Sequence, residues 1–138
     1  MRIFFACFWL LLTATCTAEV LNVPSGEFAS IQQAINLSVN NDTIIVAPGR
    51  YFENINFLGK AITVRSSDPN DPNIVAITII DGNRPEDVNF ASVVTFKTGE
   101  TSASSIEGFT ITGGTGSWLS VYWQFNGYRW NRCGGGIV

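Results

Sequence analysis

Histidine is absent from this 138-residue chain. Its side chain is the one whose ordinary pKa, about 6.5, places the charge change near physiological pH. Its absence excludes histidine-based acid–base catalysis, a Ser-His-Asp triad and a histidine-ligated zinc site within this chain.

Cysteine is scarce, with three residues in the sequence. Cys7 and Cys16 lie in an N-terminal segment with the pattern of a removable leader, which leaves Cys133 alone. A single cysteine forms no internal disulfide, so we expect packing and stacking to stabilise the fold.

Charge is also limited, since charged residues make up 14% of the chain and its formal net charge is −3. There is no run of lysine or arginine to neutralise phosphates, so we expect no nucleic-acid partner. The hydrophobic content of 46% is too high for a disordered chain. The length predicts one domain, and no residue pattern calls for a cofactor.

The N-terminus has the features of a secretory signal. Met1-Arg2 is positively charged, the run from Ile3 to Leu12 is apolar, and small residues lead to Ala18. The apolar run is shorter than the roughly 20 residues that a bilayer requires. We therefore predict a signal peptide over residues 1–18, no membrane span, and a secreted or cell-surface protein whose domain covers residues 19–138.

One short amphipathic helix is predicted near residue 30. Ser30 and Gln33 have the spacing of a capping box. Ile31, Ala34, Ile35 and Val39 then fall on one helical face. The pattern indicates a helix of about nine residues whose apolar stripe needs a surface to cover.

Strand patterns dominate the remainder of the chain. Apolar or alternating segments separated by Gly, Pro, Asn and Asp predict strands at 20–23, 43–47, 53–57, 61–66, 74–80, 91–97 and 106–112. A single helix among so many strands disfavours a doubly wound α/β fold. An antiparallel sandwich is the main alternative, but no Asn-Gly or Asp-Gly turn with matched alternation on both sides supports it.

An apolar-Thr-apolar unit recurs, centred on Thr63, Thr78, Thr95 and Thr110. Alternation predicts that the two apolar residues point inward and the threonine outward, where threonines of stacked strands can form a ladder. A stacked coil of three strands needs roughly 18 or more residues. The units are closer together than that, so we expect successive units on successive faces of one solenoid.

Several of these segments resemble the N-terminal start of right-handed parallel β-helix proteins, the pectin-lyase-like superfamily. The segments that carry the resemblance are 30–35, 42–49, 51–55 and 62–64, with 78–82, 106–114 and 134–137 matching its repeat-protein branch. The resemblance implies an all-β, right-handed parallel β-helix (solenoid) with a short N-terminal capping α-helix. The last residues are similar to the opening of another coil, so we expect a domain truncated at its C-terminal end.

The resemblance implies a function on extracellular polysaccharide but assigns no catalytic residue. The catalytic carboxylates and assisting glutamine of the pectinesterase-like members, and the calcium site of the pectate lyases, have no matching motif here. Whether the chain is an enzyme stays open. The alternative is a non-catalytic surface or adhesion solenoid, because a fold does not fix a function.

Three groups of polar residues are candidates for chemistry, each with a structural alternative. Asp81 with Asp87 or Glu107 could act as an acid–base pair on a glycosidic bond, or Asp81 could stabilise the turn before Gly82 by bonding to its backbone. Asp68, Asn70, Asp71 and Asn73 could bind calcium or form an ordinary loop, and we predict no metal site. Lys60 and Arg65 could meet an acidic sugar or lie in solvent.

Aromatic residues are concentrated between residues 115 and 132. We predict that five of them contact carbohydrate: Trp118, Tyr122, Trp123, Tyr128 and Trp130. Exposed rings near Asn126, Arg129 and Asn131 would suit stacking and hydrogen bonding to a sugar. The alternatives are packing of this segment against the solenoid flank and contact with another part of the protein.

Overall fold

The computed structural model describes residues 17–123 and 127–138, and it describes the side chains of this part except those of residues 119–133. Most of the predicted signal peptide lies outside the described residues, so that assignment stays a prediction. No helix in the described part is long and apolar enough to cross a membrane.

The described part of the chain is mostly β, with two short helices. In chain order the elements are β1 (Val20–Val23), α1 (Ile31–Leu37), β2 (Thr43–Val46), β3 (Gly49–Tyr51), β4 (Ile55–Asn56), β5 (Thr63–Ser66), α2 (Pro72–Ile77), β6 (Thr78–Asp81), β7 (Phe90–Ala91), β8 (Val94–Thr95), β9 (Ser105–Glu107), β10 (Thr110–Thr112), β11 (Gly116–Trp123) and β12 (Gly127–Cys133).

Three parallel sheets organise the described chain. Their strand orders are β1-β2-β5-β9, β3-β6-β10 and β4-β8. Strands β2, β3 and β4 belong to the first, second and third sheet, respectively. Strands β5, β6 and β8 follow the same order. A parallel bridge from Val94 to Ile137 adds to the third sheet. The prediction of a strand-rich chain with parallel sheets is therefore confirmed.

A single apolar core lies between these sheets. Ile44 and Val64, neighbours in the first sheet, are fully buried, as are Ile80 of the second and Val94 of the third. Phe57 stacks on Phe96 with ring centres 4.3 Å apart. Inward residues of successive strands thus form one continuous core, as parallel sheets require.

The repeated threonine unit behaves as predicted in three cases of four. Thr63 points outward between buried Ile62 and Val64. At Thr95 and Thr110 the flanking residues Phe96, Phe109 and Ile111 are partly buried against the core, and the Thr110 hydroxyl donates to the Val75 carbonyl of α2. Successive units lie in different sheets. A hydroxyl ladder also forms, in which Thr43, Thr63 and Ser105 align and the Ser105 and Thr63 hydroxyl oxygens lie 3.1 Å apart.

The unit at Thr78 and the strand predicted over residues 74–80 are partly wrong. Residues 72–77 form α2, which Asp71 caps by accepting from the Asn73 N–H, with Pro72 at the first helical position. Thr78 is buried and its hydroxyl donates to the Ile74 carbonyl, whereas Ile77 is exposed. The Asp-Pro pair was a helix-start signal within the segment interpreted as loop.

Helix α1 begins where the sequence predicts, because Ser30 Oγ accepts from the Gln33 N–H at 3.1 Å. The Gln33 side chain accepts from Ala29 rather than completing the box on Ser30. The helix ends at Leu37, so Val39 is exposed rather than on the buried face.

An antiparallel hairpin, which the sequence analysis did not predict, follows the parallel strands. Strand β11 pairs antiparallel with β12 on one side and with β7 on the other. Asn126-Gly127, a dipeptide typical of hairpin turns, lies between two aromatic segments and was the missed signal.

Candidate functional site

A groove of about 550 Å³ lies beside the short strands β4 and β8. Its walls come from residues 52–56, from the loop at 84–90, from Thr95 and Lys97, and from Ser30 and Gln32 at the start of α1. These segments are far apart in sequence, and the parallel pairing of β4 with β8 brings them together.

Two exposed phenylalanine rings lie in this groove, each with a cation above it. The Arg84 guanidinium lies 4.2 Å from the centre of the Phe52 ring, and the Lys97 ammonium lies 4.2 Å from that of Phe90. Phe52 is 41% exposed and Phe90 is 50% exposed. The cation–ring contacts orient both side chains while the rings keep accessible area.

Other groove residues hold the wall in place. Both carboxylate oxygens of Glu53 accept from the first turn of α1, from the N–H groups of Ile31 at 3.0 Å and Gln32 at 2.9 Å. The Gln32 amide bonds both backbone groups of Asn56, accepting at 2.7 Å and donating at 3.2 Å. Glu53 and Gln32 therefore fix α1 against β4 and are not available to a ligand.

Three charged groups at the groove remain available. Among the described residues, Arg84, Glu86 and Lys97 form no hydrogen bond or ion pair, since the one salt bridge joins Arg50 to Asp81. The site therefore offers cationic donors, an anionic acceptor and two apolar rings, a mixture suited to hydroxyl-rich ligands.

Three pKa shifts occur outside these available groups. Burial and the nearby charge of Glu53 raise the pKa of Tyr51. Burial lowers the pKa of Lys60, and the charge of Asp42 opposes this change. Burial alone would raise the pKa of Glu100, but hydrogen bonds from Gly59 and Thr98 outweigh it and lower that pKa.

The residues considered as acid–base pairs all make local structural contacts. Asp81 is 3% exposed, pairs with the Arg50 guanidinium, and accepts from the Asn83 N–H at 3.1 Å. Asp87 lines the groove but accepts from Asn89 within its own turn. Glu107 lies on the first sheet and accepts from the Ser105 hydroxyl. These contacts favour the turn interpretation of Asp81 over catalysis.

The acidic loop at residues 68–73 is likewise held by local hydrogen bonds. Asp68 accepts from the Asn70 N–H, and Asp71 caps α2. The described residues contain no group of three or more Asp, Glu or Cys side chains placed to hold a metal ion.

Lys60 occupies a position that neither sequence-based interpretation anticipated. Its ammonium donates to the carbonyls of Ile35 at 2.5 Å, Asn36 at 2.9 Å and Ser38 at 2.8 Å, at the C-terminus of α1. Arg65 lies on the first sheet and donates to the Ser66 carbonyl. Lys60 thus caps the C-terminus of α1, a role that neither alternative included.

The five aromatic residues predicted to contact carbohydrate lie on the hairpin. Trp118 is 38% exposed. The side chains of Tyr122, Trp123, Tyr128 and Trp130 are outside the described part, although the register sets Tyr122 opposite Tyr128 and Trp123 opposite Gly127. Their predicted role stays a prediction. The groove itself was missed, because no local pattern links residues 52–56 to 84–97.

Comparison of the chain with protein-family models, curated proteins and solved structures gives no match. The sequence features and the geometry above are therefore the basis for any functional assignment.

Proposed function

We propose that the chain belongs to an exported, right-handed parallel β-helix protein that binds extracellular polysaccharide. Two observations support the solenoid. The chain contributes strands to three parallel sheets in a fixed order, and α1 packs on β1, β2 and β4 near one end. Parallel crossovers within a sheet are right-handed in nearly all proteins, which supports the handedness.

The groove beside β4 and β8 is the observation that carries the proposed function. A sugar ring has an apolar face that stacks on aromatic rings and hydroxyls that bond to charged or amide groups. Phe52 and Phe90 supply the rings, and Arg84, Glu86 and Lys97 supply the polar contacts. The groove is concave and partly apolar, as ligand sites usually are.

Binding without catalysis is the form of this function that the described residues favour. Glycoside hydrolysis by the usual route needs two carboxylates flanking the scissile bond. In the groove, Glu53 is bound to α1 and Asp87 to its own turn, which leaves Glu86 as the available carboxylate. The second candidate, a structural adhesion solenoid, shares this feature but does not require the groove.

Retention of the secreted chain on insoluble cellulose, chitin, xylan and cross-linked polygalacturonate tests the proposal. We expect retention by at least one polymer. Phe90→Ala should weaken it about two- to tenfold, because a stacked ring contributes about 0.5–1.5 kcal/mol. Leu37→Ala is the matched control, since Leu37 is 67% exposed and lies outside the groove. Failure of all four polymers to retain the chain would contradict the proposal.

Export is tested separately by sequencing the N-terminus of the protein recovered outside the cell. Cleavage at the predicted site gives a chain that begins near Glu19. A recovered extracellular protein that still begins with Met1 would contradict the signal-peptide assignment.

A further inference from the structure

A buried carboxylate lies beside the groove at the end of the second sheet. Strands β3 and β6 pair in parallel with Tyr51 opposite Ile80, and the next residues along the two strands are Phe52 and Asp81. Phe52 lines the groove, whereas the Asp81 side chain is 3% exposed and does not line it. Any effect of Asp81 on a ligand must therefore pass through the residues that it contacts.

The two oxygens of this carboxylate hold two segments that lead into the groove. Oδ2 accepts from the Arg50 guanidinium on β3. Oδ1 accepts from the N–H of Asn83, the residue immediately before Arg84, at 3.1 Å. Hydrogen bonds to an ionised acceptor are stronger than those between neutral groups. Asp81 thus joins β3 to the start of the loop at residues 84–90.

The same two segments meet again on the Phe52 ring. The guanidinium carbon of Arg84 lies 4.2 Å from the ring centre, and that of Arg50 lies 5.9 Å from it. Both distances fall within the roughly 6 Å over which an aromatic ring attracts a cation. The four side chains form a connected cluster, with the buried carboxylate of Asp81 at one end and the exposed ring of Phe52 at the other.

The backbone of the neighbouring strand lies close against the carboxylate. Thr112 of β10 is directly opposite Asp81, and Gly113 follows it with a positive φ of 76°. A Cβ at Gly113 would overlap Asp81 Oδ1. The fold itself therefore restricts where this carboxylate can lie.

The second ring of the groove has no corresponding buried partner. The Lys97 ammonium lies 4.2 Å from the centre of the Phe90 ring and, in the described part of the chain, forms no ion pair. The two ring–cation contacts therefore provide an internal comparison. A change at Asp81 should affect Phe52 and leave Phe90 as it is.

We propose that Asp81 is a positioning residue for the groove. Through Arg50 and Asn83 it holds the second cation–ring pair, the Phe52 ring with the Arg84 guanidinium, in place to receive a ligand. Groups that are already held lose less conformational freedom when a ligand binds, so this arrangement raises affinity. The inference rests on the proposed function for its ligand, whereas the positioning rests on the contacts alone.

The positioning is measured first without a ligand, by NMR of the full chain. The Phe52 ring shifts the resonances of the Arg84 side chain, and Phe52→Leu identifies that shift. Asp81→Asn keeps the size of the side chain and removes the charge that holds Arg50, so most of the shift should disappear. Arg50→Gln, at a side chain that is 50% exposed, should have the same effect and provides the comparison if Asp81→Asn does not fold.

The second ring serves as the control within the same spectra. The resonances of Lys97, which the Phe90 ring shifts, should be unchanged in both variants. A loss of both sets of shifts would show general loosening of the groove and would overturn the specific role of Asp81.

Binding is then measured on whichever of cellulose, chitin, xylan and polygalacturonate retains the wild-type chain. Asp81→Asn should weaken retention about two- to tenfold, the loss expected for one stacked ring. In a Phe52→Ala background the same substitution should cause no further loss, because there is then no ring to position. A further loss of equal size would show that Asp81 does not act through Phe52.

Asp42→Asn is the matched control for removal of a buried carboxylate. Asp42 is 3% exposed, accepts from the N–H groups of Glu19 and Val39, and lies outside the groove. Its substitution should change thermal stability and leave retention unchanged. Equal losses of retention in Asp42→Asn and Asp81→Asn would overturn the positioning role.

The two sets of measurements separate this inference from the proposed function. Unchanged Arg84 resonances in folded Asp81→Asn and Arg50→Gln would overturn the positioning and leave the groove as a binding site. Absence of retention by every polymer would overturn the proposed function, and the NMR comparison would then decide the positioning by itself.

Discussion

Replacing Lys60 by methionine should destabilise the fold by releasing the C-terminus of α1. This helix has seven residues, too few for stability on its own, so it depends on contacts with the rest of the chain. Two side chains that flank β4 hold the two ends of α1. Glu53 accepts from the first N–H groups of α1, and Lys60 donates to carbonyls at its C-terminus. Methionine keeps an unbranched side chain, one atom shorter than that of lysine, and removes the charge.

The expected loss follows from two opposing effects. A cation at a helix C-terminus contributes about 0.3–1 kcal/mol, up to about 2 kcal/mol when partly buried, and a hydrogen bond to a charged group contributes about 1.5–3 kcal/mol. Burial of the ammonium, which also lowers the pKa of Lys60, offsets part of this gain. We expect Lys60→Met to reduce the free energy of unfolding by about 1–2 kcal/mol.

Equilibrium unfolding in urea at neutral pH measures this loss. Lys97→Met is the control, because Lys97 contacts the Phe90 ring and caps no helix, and such an exposed contact contributes about 0.5–1 kcal/mol. If Lys60→Met is as stable as the wild type, or loses no more than Lys97→Met, then the capping of α1 does not contribute to stability and the reasoning fails.

Two further predictions concern stability. Hydrogen bonds lower the pKa of Glu100 in the fold, so its contribution to the free energy of unfolding is present above its ordinary pKa of about 4.5 and is lost as pH falls through the folded value. Glu100→Gln should therefore make stability in urea fall less steeply as the pH is lowered. An unchanged pH dependence would contradict this. Gly113→Ala should reduce the free energy of unfolding by at least about 2 kcal/mol, because Gly113 has a positive φ of 76° and an added Cβ would meet the Asp81 carboxylate. Gly26→Ala is the control: Gly26 has open space around it, so thermal unfolding of this variant should be nearly unchanged.

Features that depend on neighbouring residues were predictable from the sequence. Ser30 and Gln33 set the start of α1, and alternation placed Ile55 and Phe57 in the core. Helix α2 carried its own local signal in Asp71-Pro72, which the apolar run after it obscured.

The groove depends on distant residues, and this is why the sequence did not reveal it. Phe52 and Phe90 line one surface because β4 pairs with β8. This pairing depends on how distant strands are brought together in the fold, not on the residues of either segment alone. Similarly, Lys60 reaches the end of α1 because the chain turns back past the helix, a contact that residue type and spacing do not encode.

The ladder formed by Thr43, Thr63 and Ser105 has a consequence for how such a protein can evolve. Thr43 and Thr63 align in the same sheet, and so do Thr63 and Ser105, although the second pair is separated by about twice as much chain. The stacking therefore tolerates inserted segments of very different length between its rungs. The loop that carries Arg84, Glu86 and Phe90 belongs to the longer interval. Ligand preference could thus be exchanged by grafting one interval onto an unchanged stack.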